Sequence, residues 1–511
     1  MGGGLIQLAV QGDQDKMHLT GNPQITFFKM VHKQHSNFSM ESIELNFNGT
    51  VDFGRKLNCI ISKNGDLIYK MYLAVQLPKI DCETSNENRF RWLNWLGHIL
   101  IKKIYIEIGG QIIDEHYGEW IHIWNELSQK SGKQSGYANM VGNVPRLTQV
   151  IQGNSNTDKT SSTIPETTLY VPLQFWFCKN PGLALPLIAL QYDEVKVIVE
   201  LNDSSSCYWA TGKYKMTPPV LKNASLFVDY IYLDTEERRK FAQLSHEYLI
   251  EQLQYNGQEV LNTQSNKIKL NFNHPVKEIA WIVQPISNVD VTYTNNLGGP
   301  QTYNFTDHID TTYFSGTPND PYGGGMSGGN SNNISWGLPI TNNASSITDS
   351  SGNTLVAPLS GQAPSTATSL SNTGFYDIAT QSVHGSTLAT GEVNLALFDK
   401  GKTPIDNAKI QINGHDRFSL REGKYFNFIQ PYQHHTNIPA TGINIYSFSL
   451  YPEDHQPSGS CNFSKIDTSY LIFKLSKESV ELQRKCNIRI YAVNYNVLKI
   501  GTGQGKLAYS K

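Results

Sequence analysis

A serine-centred motif used by many hydrolases lies in the glycine-rich middle of the chain. Residues 325–329 read Gly-Met-Ser-Gly-Gly and match the pattern G-x-S-x-G, in which the serine is a nucleophile. That chemistry needs a sharp turn between a buried strand and a helix, because the turn holds the serine exposed. The flanking residues, rich in Asn, Gly and Ser, predict neither element. We therefore interpret the match as a chance occurrence in a loop.

Several histidines and a second glycine-rich run are the other candidates for chemistry. The histidines are His32 and His35, His434 and His435, and His415 beside Asp416. A metal site needs three or four converging ligands, and no cysteine or carboxylate partner stands at a recognised spacing from them. The run 501–506 lacks the spacing of a phosphate-binding loop and predicts a flexible tail. No catalytic, cofactor-binding or metal-binding residue is predicted, and the protein is not expected to be an enzyme.

Composition argues against several kinds of partner and location. The 511 residues carry 42 basic and 44 acidic side chains, so a net charge of -2 gives no attraction to phosphate backbones. Nucleic acid is therefore not expected as a direct partner. Six widely spaced cysteines without a CxxC pair favour reduced structural thiols in a cytosol-like compartment. Residues 1–16 do not resemble a secretory signal, and no apolar run approaches the roughly 20 residues that span a bilayer.

Strand patterns dominate the elements that would position any site. Ile104, Ile106 and Ile108 alternate with Tyr105 and Glu107, and similar alternation recurs near residues 195 and 488. Such period-two patterns bury one face of a sheet. The tight-turn signals between strand patterns are Asn64-Gly65, Gly109-Gly110 and Asn256-Gly257. Many short strands joined by turns favour an all-β fold of antiparallel sandwiches or barrels.

Helices are few in this prediction, and two segments are expected to be long loops. Asp234 precedes a short helical connector, 235–246, as its capping residue. A second short helix near Glu119 would carry its apolar side chains on one face, namely Trp120, Ile123, Trp124 and Leu127. The segments 129–165 and 295–392 are rich in Ser, Gly, Asn and Thr. Because the second contains scattered aromatic residues, we interpret it as an ordered surface tower.

Blocks of sequence along the whole chain resemble those of one viral family. The run 19–29 reads Leu-Thr-Gly-Asn-Pro-Gln-Ile-Thr-Phe-Phe-Lys, and residues 181–187 read Pro-Gly-Leu-Ala-Leu-Pro-Leu. Further blocks are Asn-Gly-His-Asp-Arg-Phe at 413–418 and Tyr-Ala-Val-Asn-Tyr-Asn at 491–496. They occur in family order and cover nearly everything except the two predicted loops. The chain thus resembles the major capsid proteins of nucleocytoplasmic large DNA viruses, the type found in iridoviruses, phycodnaviruses and mimivirus-like viruses.

This resemblance implies a double jelly roll, which is two eight-stranded antiparallel β-sandwiches with short helices and long apical loops. The first jelly roll would span 26–234 and the second 247–500, with the helical connector 235–246 between them. Residues 1–25 would form a basal N-terminal arm, and 501–511 a C-terminal tail. Both predicted long loops would then decorate the outer surface of the molecule.

The same resemblance implies a structural role in a virion. Three chains would form a pseudo-hexagonal capsomer, and capsomers would tile an icosahedral shell. The expected partners are other copies of this chain, minor capsid and penton proteins, and internal membrane-associated proteins. Assembly is expected in the host cytoplasm, and the product is expected in the virion capsid.

Other functions stay open on the residues alone. A carbohydrate-binding jelly roll, either lectin-like or a virion surface attachment protein, would suit aromatic and uncharged loops. A glycoside hydrolase would need two carboxyl groups facing each other across a cleft, and acids are sparse in the predicted tower. The Asn-x-Ser/Thr sequons at Asn304, Asn333 and Asn343 are predicted glycosylation sites.

Overall fold

The computed structural model describes residues 2–23, 32, 34–82, 88–152, 163–295, 298–307, 402–480 and 485–510, together with the backbone of three short hairpins between 332 and 384. The chain divides into two units, Met1–Ser39 and Met40–Lys511. In the smaller unit, helix α1 (Gly3–Ala9) and a π-helical turn (Asp15–Leu19) have no buried residue. Most of the signature run 19–29 lies outside the described residues.

The first half of the larger unit alternates strands with short helices. Its strands are β1 (Phe38–Asn46), β2 (Lys56–Ile60), β3 (Leu67–Leu77), β4 (Ile80–Asp81), β5 (Arg89–Trp92), β6 (Ile101–Ile108), β7 (Gln111–His116), β8 (Ile151–Gln152), β9 (Thr163–Ile164), β10 (Thr167–Pro172), β11 (Leu185–Pro186), β12 (Val195–Leu201), β13 (Tyr208–Thr211) and β14 (Asn223–Leu233). Its helices are α2 (Leu96–Leu100), α3 (Gly118–Ser128), α4 (Gln134–Val141), α5 (Pro145–Thr148), α6 (Trp176–Lys179), α7 (Lys213–Met216) and α8 (Thr235–Gln243). Single 3₁₀ turns occur at Ser131–Lys133, Pro181–Leu183, Leu187–Ala189 and Ser204–Ser206.

A five-stranded and a four-stranded sheet of this half form the first sandwich, and β11 pairs with β3 at the side of the larger one. One sheet has the order β1-β14-β3-β10, and the other has the order β2-β12-β6-β7. Val197 of β12 pairs with Cys59 on one side and Ile106 on the other, in antiparallel register. These residues are buried together with Leu73 and Val75 of the facing sheet, in one continuous core. The alternation read from the sequence therefore marks the inner faces of the sandwich.

The second half follows the same plan. Its strands are β15 (His246–Leu261), β16 (Ser265–Lys269), β17 (Pro275–Pro285), the hairpin strands β18 (Asn332–Ser335), β19 (Leu338–Thr341), β20 (Ile347–Thr348), β21 (Thr354–Leu355), β22 (Phe375–Asp377) and β23 (Ser382–His384), then β24 (Ile405–Ile412), β25 (His415–Asp416), β26 (Arg421–Glu422), β27 (Ile443–Ser447), β28 (Cys461–Asn462), β29 (Ser469–Leu475), β30 (Cys486–Gly501) and β31 (Gln504–Leu507). Its helices are α9 (Val291–Thr294), α10 (Gln430–His434) and α11 (Lys477–Val480), with a π-helical turn at Tyr425–Ile429 and 3₁₀ turns at Ile286–Asn288 and Phe463–Lys465. The sheets β15-β30-β17-β27 and β16-β29-β24-β25 enclose a second core that includes Trp281, Phe426 and Phe473.

One predicted turn is wrong. Strand β15 passes straight through Asn256 and Gly257, and its pairing with β30 shifts register between Tyr255 and Gln258. Gly257 takes a φ of 91°, which a side chain would strain, so the strand bulges instead of reversing. The residue types that favour a tight turn also favour a bulge. By contrast, Gly109-Gly110, with φ of 57° and 81°, closes the β6–β7 hairpin as predicted.

The predicted flexible tail at 501–511 contains a strand. Thr502 and Gly503 both have positive φ, 53° and 81°, and turn the chain so that β31 pairs with the end of β30. Positive φ at both central residues is the geometry of a two-residue hairpin turn. The sequence prediction missed it because threonine is an unusual residue for this conformation.

The helices predicted from spacing are present, whereas the predicted loops differ in part. Helix α3 buries the apolar side chains assigned to it, and the Asp234 side chain accepts a hydrogen bond from Thr235 N at the start of α8. The predicted loop 129–165 contains helices α4 and α5. The first part of the predicted tower lies in the interior, since Phe305 is 1% exposed. The remainder of the tower falls outside the described residues, apart from the backbone of the hairpins.

Candidate functional site at the junction of the two sandwiches

Helix α3 joins the two sandwiches through its apolar face. Trp120 and Trp124 pack with Leu253, Ile443 and Tyr491 of the second half in a cluster separate from the two main cores. Burying an aromatic side chain stabilises a structure by roughly 2 to 3 kcal/mol. The two tryptophans therefore make separation of the sandwiches costly.

The first turn of α3 adds a buried ion pair to this junction. The Glu119 carboxylate accepts hydrogen bonds from Arg489 Nε at 2.8 Å and from the Tyr491 hydroxyl at 2.8 Å. Its second oxygen lies 2.7 Å from Arg489 Nη2. This two-pronged pairing fixes the orientation of the guanidinium as well as its charge. It ties α3 to strand β30.

Main-chain groups complete the junction at two other places. Leu253 N donates to Asp114 Oδ1 at 3.0 Å, which links β15 to β7. In the terminal hairpin, Gly505 N donates to Asp193 Oδ2 at 2.8 Å, and Gly503 O accepts from Tyr192 N at 3.0 Å. The second half of the chain therefore reaches back onto the first half through its final strand.

Three charged side chains meet in the interior beside this junction. Glu251 lies 3.0 Å from Lys179 Nζ of α6 and 2.5 Å from Lys277 Nζ of β17. Burial alone would raise the pKa of Glu251, but the two ammonium groups outweigh it and hold that pKa at about 2. Lys277 Nζ also donates to Pro452 O at 2.5 Å. The lysine thus anchors the loop after β27.

A buried histidine holds the same loop from its other side. His435 Nε2 lies 3.1 Å from Glu278, and His435 Nδ1 lies 3.1 Å from Glu453 Oε1. The His435 side chain is wholly buried. Burial opposes its charge, yet the two carboxylates prevail and raise the pKa of His435 to about 9. Thr436 N donates to the same Glu453 oxygen at 2.8 Å.

A bulge explains why Lys277 and Glu278, adjacent in sequence, both point into this interior. The register of β17 against β30 shifts between Val276 and Glu278, which leaves Lys277 as the extra residue. Its carbonyl accepts from Phe448 N at 2.8 Å outside the ladder. A regular strand would direct the two side chains to opposite faces.

Exposed apolar side chains stand next to these buried groups along the chain. Tyr432 of α10 is 77% exposed, and Leu450 and Tyr451 of the clamped loop are 62% and 60% exposed. His434 Nδ1, hydrogen-bonded to Leu450 O at 2.9 Å, connects the helix to the loop. We call Tyr432, Leu450 and Tyr451 the apolar patch. Its position is set by the buried groups beside it.

The histidines considered from the sequence lie apart. His32 and His35 are exposed in the smaller unit, and His415 is exposed on β25. His435 is the buried ion-pair partner described above. Within the described part of the chain, no group of three His, Cys, Asp or Glu side chains is arranged to hold a metal ion. The G-x-S-x-G motif at 325–329 lies outside that part.

The structure describes one of the three predicted glycosylation sites fully. Asn304 is half-buried, its amide nitrogen donates to Gln301 Oε1 at 2.7 Å, and its oxygen accepts from Thr306 N at 3.0 Å. The first of these bonds engages the nitrogen to which a sugar would be attached. The side chains of Asn333 and Asn343 lie outside the described residues, so all three sites stay predictions.

The cysteines and helices of the described regions carry no sign of other chemistry. All six cysteines are free thiols, five of them buried, and burial raises the pKa of Cys59 and Cys82 to about 11. Such thiols are poor nucleophiles at neutral pH. None of the helices that the structure describes has the length and apolar character needed to cross a bilayer.

Reasoning from the sequence missed the buried charges around His435. The available signal was the pair Lys277-Glu278 at the start of a run that is otherwise apolar, because charged side chains in a central strand need buried partners. Their partners Glu251, His435 and Glu453 stand far away in the sequence and follow no spacing rule.

Comparison with known proteins accounts for this architecture. Residues 26–234 match the family model "Major capsid protein N-terminus", and residues 237–506 match "Large eukaryotic DNA virus major capsid protein". The major capsid protein of Phaeocystis pouchetii virus is 47% identical, with all of both chains covered. That of Paramecium bursaria Chlorella virus 1 is 35% identical, again over all of both chains.

Solved structures agree with the sequence comparison. A quasi-atomic model of the PBCV-1 virus capsid contains a chain that superposes with a TM-score of 0.62 at 30% identity, covering 95% of this chain and all of that one. The Faustovirus major capsid protein has a TM-score of 0.63 at 14% identity, covers 94% of this chain and 93% of its own, and supports the fold alone. The two sandwiches are thus the two halves of a double jelly roll. The chain belongs to the family of major capsid proteins of large eukaryotic DNA viruses.

Proposed function

We propose that three copies of this chain form a pseudo-hexagonal capsomer and that capsomers tile an icosahedral shell. As a major capsid protein, the chain is a structural component of the virion capsid. The main support for the finer proposal is the repetition of one sandwich plan, with β1-β14-β3-β10 matched by β15-β30-β17-β27. Three chains with two similar sandwiches each present six similar walls, and a closed threefold assembly of that shape can fill a hexagonal lattice.

The junction and the apolar patch supply further support. The two jelly rolls lie in one compact unit and share α3. Their orientation relative to each other is therefore held constant, as a regular lattice of identical chains requires. The patch of Tyr432, Leu450 and Tyr451 exposes aromatic and aliphatic side chains of the kind enriched in protein interfaces. We infer that it contacts a neighbouring copy of the chain.

The remaining expectations are proposals of the same kind. The jelly rolls span 26–234 and 247–500, and the arm 1–25 lies at the base, where it meets minor capsid or internal membrane-associated proteins. Penton proteins fill the fivefold positions. Assembly takes place in the host cytoplasm, a setting suited to six free thiols. The protein acts without catalysis.

The mass of the purified protein tests the capsomer directly. Native mass spectrometry is expected to give three times the chain mass of 57.3 kDa, and electron microscopy should show hexagonal arrays of these particles. A monomer that is retained by a glycan array would instead favour a carbohydrate-binding jelly roll. A stable dimer would also contradict the proposal.

A matched pair of variants locates the contact. The double variant Tyr432→Ser, Tyr451→Ser is expected to weaken the trimer or its arrays, because it removes two exposed rings without touching the cores. The control is Met216→Ser, at a side chain that is 82% exposed in the first jelly roll. If the control disrupts assembly and the double variant does not, the apolar patch is not the contact.

A further inference from the structure

Two imidazole side chains lie side by side in the interior of the first jelly roll. His98 comes from α2 and His122 from α3, and their ring centres are 5.5 Å apart. Their residues are 0% and 2% exposed. Two ionisable groups at this distance influence each other strongly when water is excluded.

Aromatic rings enclose this histidine pair. Trp95 stacks on His98 with ring centres 5.5 Å apart and planes 4° from parallel, and its edge approaches His122 at 5.1 Å. Tyr303 stacks on His122 with ring centres 4.1 Å apart. The Tyr137 hydroxyl of α4 lies 2.7 Å from His98 Nε2. The surroundings suit neutral rings and contain little that would solvate a charge.

Neither histidine is paired with a counter-charge in the part of the chain that the structure describes. Among the described residues, neither imidazole forms an ion pair, and the Nδ1 atoms of both lack a hydrogen-bond partner. The titratable groups in direct contact with them are Tyr137 from α4, Tyr303 from the segment 298–307, and each other. Glu119, Cys207 and Arg489 lie close enough to Tyr303 to act on its charge. Glu119, one turn before His122 on α3, is engaged with Arg489 and Tyr491.

Both imidazoles are therefore held neutral. Burial lowers the pKa of His98 to about 3. Burial, reinforced by the neighbouring His98, lowers the pKa of His122 well below its usual value. Mildly acidic pH raises the tendency of each ring to take up a proton. The aromatic rings that enclose the pair in the closed structure do not stabilise the resulting charge.

Of the aromatic rings described above, Tyr303 is the one that lies on an irregular segment away from the helices α2, α3 and α4. It belongs to the segment 298–307, which we call the stem, and it is half-buried, whereas the helices that carry the histidines are buried in the main core. The stem has separate anchors on either side of Tyr303, since Gln284 Nε2 donates to Thr302 O at 2.7 Å and Asn288 Nδ2 donates to Thr306 O at 2.9 Å. Displacement of Tyr303 would admit water to His122 without unfolding the sandwich.

We propose that His98 and His122 form an acid-sensitive latch, in which protonation displaces Tyr303 and opens the stem while both sandwiches stay folded. In the open form each imidazole regains an ordinary affinity for protons. The equilibrium constant for opening then rises about tenfold per pH unit below pH 6.5 for one imidazole, and up to about a hundredfold when both take up protons. This device lies outside the capsomer contacts proposed above and does not depend on them.

Hydrogen exchange of the full-length protein between pH 7.5 and 5.0 tests the latch, after correction for the intrinsic pH dependence of exchange. Between pH 6.5 and 5.5, peptides covering 298–306 are expected to lose protection about fivefold if one imidazole takes up a proton and about thirtyfold if both do. Peptides from β30 are expected to keep theirs. Stem protection that stays constant over the whole range, or that falls together with that of β30, would overturn the proposal.

Two variants and a control identify the responsible groups. His122→Phe keeps a ring against Tyr303 but cannot take up a proton, and His98→Gln keeps a polar partner for Tyr137. Between pH 6.5 and 5.5, each variant is expected to reduce the acid response of the stem from about thirtyfold to about fivefold. Either variant suffices if the other does not fold. The control His415→Gln removes an exposed imidazole and should leave the response unchanged. An unchanged response in both His122→Phe and His98→Gln would refute the assignment.

Discussion

Two buried histidine sites in the same chain have opposite ionisation. His435 lies between the carboxylates of Glu278 and Glu453 and has its pKa raised to about 9. His98 lies among aromatic rings, and its pKa is lowered to about 3. Both side chains are withdrawn from water, so depth does not explain the difference. The neighbouring charges decide whether a buried imidazole carries a proton.

The two sites therefore respond to opposite ends of the pH range. The pKa of His435 is higher in the folded chain than the ordinary 6.5, so its contribution to stability is complete below pH 6.5 and is lost as pH rises through 9. The pKa of His98 is lower in the folded chain, so the unfolded or open form binds more protons below pH 6.5. Acid consequently weakens the site of His98 and leaves that of His435 intact.

The largest effect is expected from removing one carboxylate of the charged site. Glu278→Gln should lower the free energy of unfolding by about 3 to 5 kcal/mol, because breaking a buried ion pair leaves the opposite charge uncompensated. Urea unfolding at pH 7, followed by tryptophan fluorescence, measures it. The matched control Glu247→Gln breaks an exposed pair with Lys499 and should leave the midpoint unchanged. Equal effects of the two substitutions would remove the distinction between buried and exposed charge.

Alkaline pH should remove the contribution of His435 to the stability of the folded chain. The difference in unfolding free energy between the unmodified chain and His435→Gln is expected to shrink by about 2.5 kcal/mol between pH 7 and pH 10, because each pKa unit corresponds to about 1.4 kcal/mol and part of the contribution is already lost at pH 7. Taking the difference cancels the titration of other groups. A difference that stays constant over this range would show that His435 is neutral in the folded chain.

A smaller effect is expected at the neutral site. Tyr137→Phe removes the hydroxyl beside His98 and should cost about 1 to 2 kcal/mol at pH 7.5, since a hydrogen bond between uncharged groups contributes less than a buried ion pair. Urea unfolding measures this too. A loss as large as that of Glu278→Gln would mean that His98 carries a charge in the folded state.

The smallest effect is expected at an exposed ion pair. Lys409 Nζ and Asp416 are 2.7 Å apart, as close as the buried pairs, but both belong to the open β24–β25 hairpin. Lys409→Gln is expected to leave the thermal midpoint within experimental scatter, because water and salt screen exposed charges. A clear decrease would show that distance alone sets the strength of these pairs.

The sequence predicts the fold better than it predicts these sites. Alternation around Ile106 and the spacing of Trp120 and Trp124 report burial directly, since a strand or helix repeats its inward face at a fixed interval. Bulges have no such fixed interval, so Asn256-Gly257 predicts a turn where the strand bulges. At Lys277 the sequence shows two adjacent charges in an apolar run, but it does not show the bulge that turns both inward. Bulges change which face a residue occupies without changing the composition around it.

The ionisation of the histidines depends on contacts that no local pattern contains. His435 joins Glu278 and Glu453, which reach it from β17 and from the loop after β27. Likewise, His98 and His122 meet Tyr303 only because α2, α3 and the stem converge in the folded chain. From the sequence, the adjacent His434 and His435 look alike, yet one is hydrogen-bonded to the exposed loop and the other is a buried cation.

The hairpin of β30 and β31 determines when the surface of the first jelly roll can be completed during translation. Strand β31 follows every other strand in the sequence, yet Gly505 lies so close to Leu190 and Ile108 of the first jelly roll that a side chain there would collide with them. During translation, the first jelly roll leaves the ribosome long before β31 is made. The surface around Leu190 and Ile108 is therefore completed only when β31 has packed on it. A nascent chain therefore lacks this part of the surface of the first jelly roll until β31 has been translated.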